Sequence, residues 1–439
     1  MYTFSNRLKT FSIILVVLGV LGVAYGFMTS HKSLDEVKTM LVEEHAHEVA
    51  EAGLQAQVAA SDHDVSDDSH ATHVQEQLAK RPWSAVYVAA FFFMMIALGA
   101  LAFYAIHIAA QAGWSPLLMR VMEGISAYLL PGAIIVVALA VGSHYIGTNN
   151  EIFIWMNEDV VAGDKLIQNK SGYLNITAFL IRAIIFIAGW CTYRHFARKF
   201  SIAQDNAEPG DNRYFKKSFR IAAGFLVFYM YTESIMSWDW IMSVDPHWFS
   251  TLFGWYVFAG MMVSAVTVIA MVTIYLKTKG YLPSVNDSHI HDLAKYMFGF
   301  SIFWAYLWFS QFMLIWYANI PEEVTYFVTR IEDYKVPFFG MLVLNFVFPL
   351  LILMNSEFKR VPWFVMMAGV VVLIGHYIDV FVMIMPGTVG DRWYIGIPEI
   401  ASILLFGGLF LFVVFTSLTK APLTPKHNPF IKESENFHY

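Results

Sequence analysis

Residues 233–256 read ESIMSWDWIMSVDPHWFSTLFGWY, and their reading decides the fold. The stretch closes one long apolar run that begins near Phe219 and opens another that reaches Leu276. Inside it stand the carboxylates Glu233, Asp239 and Asp245, the imidazole of His247, and the indoles of Trp238, Trp240, Trp248 and Trp255. A carboxylate held at the centre of a bilayer costs about 3 kcal/mol or more, so an acid in such a run marks a candidate functional site. The plainer reading is an aromatic belt at a membrane surface, with Asp245-Pro246 as a turn at a helix end. Glu233, about 12 residues or 18 Å inside at 1.5 Å per residue, resists that reading best.

Working outward, the composition agrees with a lipid setting. The 439 residues are 57% hydrophobic and only 14% charged, with a mean hydropathy of +0.53. Soluble domains carry about 25% charged residues, which excludes an ordinary soluble fold. The net charge of −6 and the absence of a basic tract exclude nucleic acid as a partner class. One cysteine, Cys191, excludes intrachain disulfides, Cys-ligated iron–sulfur clusters and covalent c-type haem. Electrons, if the chain handles them, need a diffusible quinone, a His-ligated haem, or a cofactor in another chain.

Ten apolar runs reach the about 20 residues that a membrane helix needs: 11–29, 83–110, 117–146, 173–196, 219–244, 252–276, 296–319, 336–355, 361–385 and 397–419. None alternates with period two, so helices satisfy the backbone. The expectation is an all-α integral membrane protein with ten transmembrane helices. Arg7 and Lys9 before the first run resemble a signal sequence, but that run reads as a retained span. With the N-terminus inside, inner loops hold most of the 28 Lys and Arg, among them Arg198, Lys216, Lys277, Lys359 and Lys426. The positive-inside rule then puts both termini in the cytoplasm and the 233–256 corner outside.

The loop 30–82 opens with Ser33-Leu-Asp-Glu36, a capping box, and a helix to about Ala60 follows. It carries His45, His47, His63, His70 and His73 among acids. Such spacing in an acidic run is a weak metal signal, and no metal is expected. Loop 147–172 holds Asn149, Glu151, Glu158, Asp159 and Asp164. Loop 197–217 turns at Pro209-Gly210, and the Pro-containing tail 420–439 reads as extended.

The buried ionisable groups are few. Arg182 lies near 14 Å deep at 1.5 Å per residue, which predicts an Arg182–Glu233 pair, since neither charge is tolerable alone. His376 and Asp379, spaced i, i+3, share one helix face and suit a proton relay. His144 lies at the outer end of the third run, close in depth to Asp239. His107 and Glu123 lie toward the inner side. A quinone site needs an apolar slot and groups exchanging protons with the ring oxygens, and Asp239 with His144 is the best pair. Bis-His haem finds no convincing pairing among His107, His144 and His376. A secondary transporter predicts helices broken at matching places in two halves, and Pro131 has no clear counterpart.

The run SWDWIMSVDPHWFSTLFGWY at 237–256, with ten spans and a His-rich outward first loop, resembles the membrane subunits of bacterial alternative complex III. That complex is a quinol:cytochrome c oxidoreductase, and these subunits belong to the polysulfide-reductase/NrfD-like superfamily. The chain looks most like the F-type of the two homologous ten-span subunits, over most of its length apart from the first loop and the tail. The resemblance implies two four-helix bundles, 83–245 for spans two to five and 246–385 for spans six to nine. A first span (1–29), an outer loop (30–82), a last span (386–419) and a cytoplasmic tail (420–439) complete it. It also implies a bacterial inner membrane, and partners that include the homologous ten-span subunit, an iron–sulfur subunit and c-type haem subunits. The chain would bind no covalent cofactor and would not be catalytic alone; a quinone such as menaquinone is its expected ligand. In the family the quinol site is better supported in the C-type sister, so a proton-path or scaffold role is the rival reading.

Overall fold

The computed structural model describes residues 2–52, 68–146 and 151–438, with the backbone alone over 47–52. Its described residues are helical throughout, joined by turns. Nine helices are long and apolar enough to cross a membrane among these residues. They are α1 (Asn6–Ser30), α3 (Asp68–Ala109), α4 (Pro116–Tyr145), α5 (Ile176–Asp205), α7 (Phe253–Thr278), α8 (Asp287–Ala318), α10 (Lys335–Leu353), α11 (Pro362–Val389) and α12 (Ile397–Leu418). Between them lie α2 (Leu34–Ala52), α6 (Arg213–Trp240) and the amphipathic α9 (Pro321–Glu332). α6 occupies the predicted fifth run. It carries Arg213, Lys216, Lys217, Arg220, Glu233 and Asp239.

α3 is the axis of the molecule, with 94% of its most apolar stretch buried against 17% for α1. It packs on α4, α6, α7, α11 and α12, while α5 closes α4 to α6. α7 packs on α8 and α11, and α10 closes α8 to α11. α1 lies along α12, its glycines pressed onto that helix: a Cβ at Gly19 would fall 2.4 Å from the Leu405 nitrogen.

The loop 30–82 is a correction. Its first part behaves as expected: the Ser33 amide donates to Glu36 (2.8 Å) and the Glu36 amide to Ser33 (3.3 Å), capping α2, the expected helix, which is described to Ala52. Residues 68–82 belong to α3, which runs on through Pro82. Pro82 lacks the amide that would bond the Leu78 carbonyl; two residues on, the Ser84 hydroxyl donates to the Lys80 carbonyl (3.1 Å). Val37 and Leu41 of α2 bury themselves against Ala71 and Val74, which is why the helix persists beyond the lipid-length run.

The tail is also a correction. It contains the short helix Ile431–Glu435. The Ser434 hydroxyl donates to the Trp114 carbonyl (2.7 Å) and the Lys426 amide to Asp205 (3.0 Å). Both termini meet the α7–α8 connection: Thr3 bonds Tyr281 (3.0 Å) and Asn286 bonds the Phe437 carbonyl (2.6 Å). This end is called the termini end below, and the opposite one the far end.

Candidate functional site

Three polar groupings lie inside the helices. At the far end, Arg182 of α5 grips Asp239 of α6 with both prongs of its guanidinium, Nε–Oδ2 2.6 Å and Nη2–Oδ1 3.2 Å. The Asp239 side chain is fully buried, and Arg182 stacks 3.9 Å over the Tyr173 ring. The predicted partner was Glu233, so this is a correction. Glu233 lies six residues deeper on α6, and a long Arg stem bends toward the helix end, where polar groups and water are. Glu233 remains buried with Oε1 lacking a hydrogen-bond partner.

Asp239 and His144, the two groups named for a quinone site, each hold a different partner. His144 faces Glu151 at 3.6 Å, while Asp239 takes Arg182 and the Tyr173 hydroxyl. Beside this cluster opens a cavity of about 440 Å³, walled by Leu174, Trp238, Met242, Pro246 and Phe249, with Tyr173 on its edge. Asp245 and His247 lie on the adjoining connection. His247 Nε2 reaches Asp164 at 2.5 Å and its Nδ1 lies 3.7 Å from Asp245. The hydrogen bond from His247, with two backbone amides behind it, holds the Asp164 carboxyl below its usual range.

The second grouping, in α7, α8 and α11, is the most enclosed. Asp379 receives the Tyr256 hydroxyl on Oδ1 and the Trp304 indole on Oδ2 (2.8 Å). His376, one turn earlier on α11, brings Nδ1 to 3.4 Å from Oδ2, as the i, i+3 spacing predicts. Its ring is fully buried and neither nitrogen has a hydrogen-bond partner. α7 can approach so closely because it offers Gly260 there, whose absent Cβ would lie 3.4 Å from Asp379 Oδ2.

Two small voids lie between Tyr256 and the far end. A void with room for about one water is bounded by Tyr256, Gln311 and Tyr326. Tyr326 also borders a second void, of about 70 Å³, that reaches Asp245, Thr325, Thr329 and Arg330. Arg330 stacks 3.3 Å over Tyr326 and donates to the Tyr326 (2.9 Å) and Met383 (3.4 Å) carbonyls. In the other direction stands Asn345, on a π-turn at Val343–Val347 within α10. Its side chain is fully buried with both amide atoms unpartnered. It fits against Gly375, where a Cβ would meet its Oδ1 at 2.0 Å. Pro349 explains the turn: it lacks the amide that would bond the Asn345 carbonyl.

The third grouping is ionic. At the termini end Glu123 takes Arg120 (3.1 Å) and Arg198 (3.4 Å), and Arg120 also takes Asp205 (2.5 Å). His107 stands apart, its Nδ1 on the Phe103 carbonyl (2.8 Å) inside a ring of Phe103, Trp114 and Tyr296. Among the described residues no cluster of His, Cys, Asp and Glu could hold a metal. His63 and the His47 side chain lie outside them.

Sequence reasoning named Asp379 and His376 but missed Tyr256, Trp304, Asn345 and Arg330. Tyr256 ends the quoted stretch, and Trp304 is one of many indoles; nothing in their spacing ties them to Asp379. Comparison with protein-family models finds no match, and a search of curated proteins finds none either.

Proposed function

We propose that this chain is an integral membrane subunit of a respiratory quinol:cytochrome c oxidoreductase of the alternative complex III kind, handling protons through the cluster around Asp379. Iron–sulfur and haem partners would carry the electrons, as the single cysteine requires. The observation that carries the reading is a carboxylate bonded to a phenol and an indole, with an imidazole beside it, deep inside apolar helices. A buried acid of this kind is costly unless it works. Tyr256, Asp379 and His376 are all proton donors or acceptors, and two separate voids, one against Tyr256 and one against Asp245, share the Tyr326 wall between them. In this reading the far end faces outward, the termini lie in the cytoplasm, and the membrane is the bacterial inner one. α6 is the tenth span, because both termini share one end and nine crossings would separate them. α3–α4–α5–α6 and α7–α8–α10–α11, each a closed ring of neighbours, are the two four-helix bundles.

Asp379→Asn in the purified complex is the direct test. Quinol turnover should fall roughly 10–100-fold while the subunit still assembles, as read by native gel. Full turnover would leave Asp379 structural.

One observation favours a second role. The 440 Å³ cavity beside Tyr173 has the apolar walls and polar edge of a ring-binding slot, and Tyr173 stacks under Arg182, the partner of Asp239. A photoreactive quinone analogue should then label Trp238 or Phe249; labelling confined to a sister subunit removes the role.

A further inference from the structure

A cavity of about 680 Å³ belongs to none of these groupings. It opens where α1 and α12 meet the far end, roofed by α2 and the 391–396 connection. Its lower rim is apolar and outward-facing: Tyr25 and Ile397 are each about half exposed. They continue the exposed apolar flank of α1, which includes Leu18 and Leu21. Its upper walls carry both signs of charge. Lys32 directs its ammonium at the Met40 sulfur (3.3 Å) and has no carboxylate partner among the described residues. Arg392 holds Glu44 at 2.6 Å and lies 3.8 Å from Asp391, with Nε lacking a hydrogen bond. Arg81 at the back is already neutralised by Glu399, through bonds of 2.9 and 2.8 Å, and stacks 3.1 Å over Tyr394.

We infer that this cavity holds the head group of a zwitterionic glycerophospholipid with a primary amine. The phosphate would face Lys32, and the ammonium would face Glu44 and Asp391. The acyl chains would leave past Tyr25 and Ile397 along α1. Opposed charges in one lining are the ground for a zwitterion: with Arg81 bonded to Glu399 and Arg392 to Glu44, Lys32 is the cation left without a carboxylate among the described residues, and Asp391 and the second Glu44 oxygen are the acceptors left for an amine. Basic pockets between membrane helices are recognised sites for lipid phosphates, and the carboxylates here add a place for the amine. The inference rests on the membrane setting and not on the proton-handling role.

The test uses the full chain reconstituted into nanodiscs holding equal parts of phosphatidylethanolamine, phosphatidylcholine and phosphatidylglycerol, then released for native mass spectrometry. One phosphatidylethanolamine should be retained in preference to the other two. Lys32→Gln and Glu44→Gln should each lower that retention roughly tenfold without shifting the melting temperature by more than a few degrees. Glu44→Gln should also turn the preference toward phosphatidylglycerol, because a carboxylate that repels it is gone. Preference for phosphatidylglycerol in the unaltered protein, equal retention of the choline lipid, unchanged retention in both variants, or no retained lipid would each overturn the inference.

Discussion

At the scale of single residues, the energetics turn on what each buried charge faces. Arg182 and Asp239 neutralise one another in a bidentate contact, so removing one leaves the other stranded. Arg182→Leu should cost roughly 3–5 kcal/mol, and the Arg182→Leu/Asp239→Leu double change should recover much of that loss. Unfolding in denaturing detergent, followed by tryptophan fluorescence, measures both; equal losses would remove the pair as a stabilising contact. The acids and the arginine were legible in the sequence because lipid-length runs make any charge conspicuous. The partner was not legible, since helix depth alone cannot say which way a long side chain bends. The exposed Asp164–His247 contact follows a different logic. The Asp164 carboxyl is held below its usual range, so its contribution is present above the ordinary carboxylate pKa and is lost as pH falls through the lowered value. His247→Ala should move the Asp164 titration upward and make the 158–170 connection easier to nick with pepsin at acid pH. An unmoved titration would show that the backbone amides alone set it.

At the scale of elements, the apolar runs located the long helices because lipid length is read directly from hydropathy. Their ends were less legible. α3 and α8 begin well before their apolar runs, at Asp68 and Asp287, because tertiary partners extend them: α2 for the first, the tail and the Asn286 cap for the second. The breaks were hidden as well. α4 tightens into a 3₁₀ turn at Ser126–Tyr128 ahead of Pro131, and α10 widens at Val343–Val347 ahead of Pro349. These are the second helix of one ring and the third of the other, not the matching positions that inverted-repeat transport would use. Between elements, the tightest seam is α1 on α12. Gly19→Ala places a methyl within 2.4 Å of backbone at Leu405, where no side chain can swing aside, so it should destabilise by about 1–3 kcal/mol. Gly142→Ala, with open space around it, should leave the melting temperature unchanged or raised. A silent Gly19→Ala would mean that α1 rides loosely on the rest.

For the whole molecule, the parity of crossings links the charge pattern to function. α6 is the only described helix that spans the length of its neighbours while carrying four cations and two acids. Its cations cluster at the start, beside the turn that follows α5, and its acids approach the far end. That polarity is what a crossing helix shows when one end meets a positively flanked surface and the other a proton-handling vestibule. If α6 crosses, positions before and after it lie on opposite sides of the membrane, and the void at Asp245 lies on the side away from the termini. A membrane-impermeant maleimide decides this in a Cys191→Ser background. A cysteine at Glu208 should react only after spheroplasts are permeabilised, and one at His247, which is about half exposed, should react in intact ones. Reaction of both under one condition would leave α6 lying within one face, put the termini on opposite sides, and turn the Asp245 entrance toward the wrong compartment for releasing quinol protons.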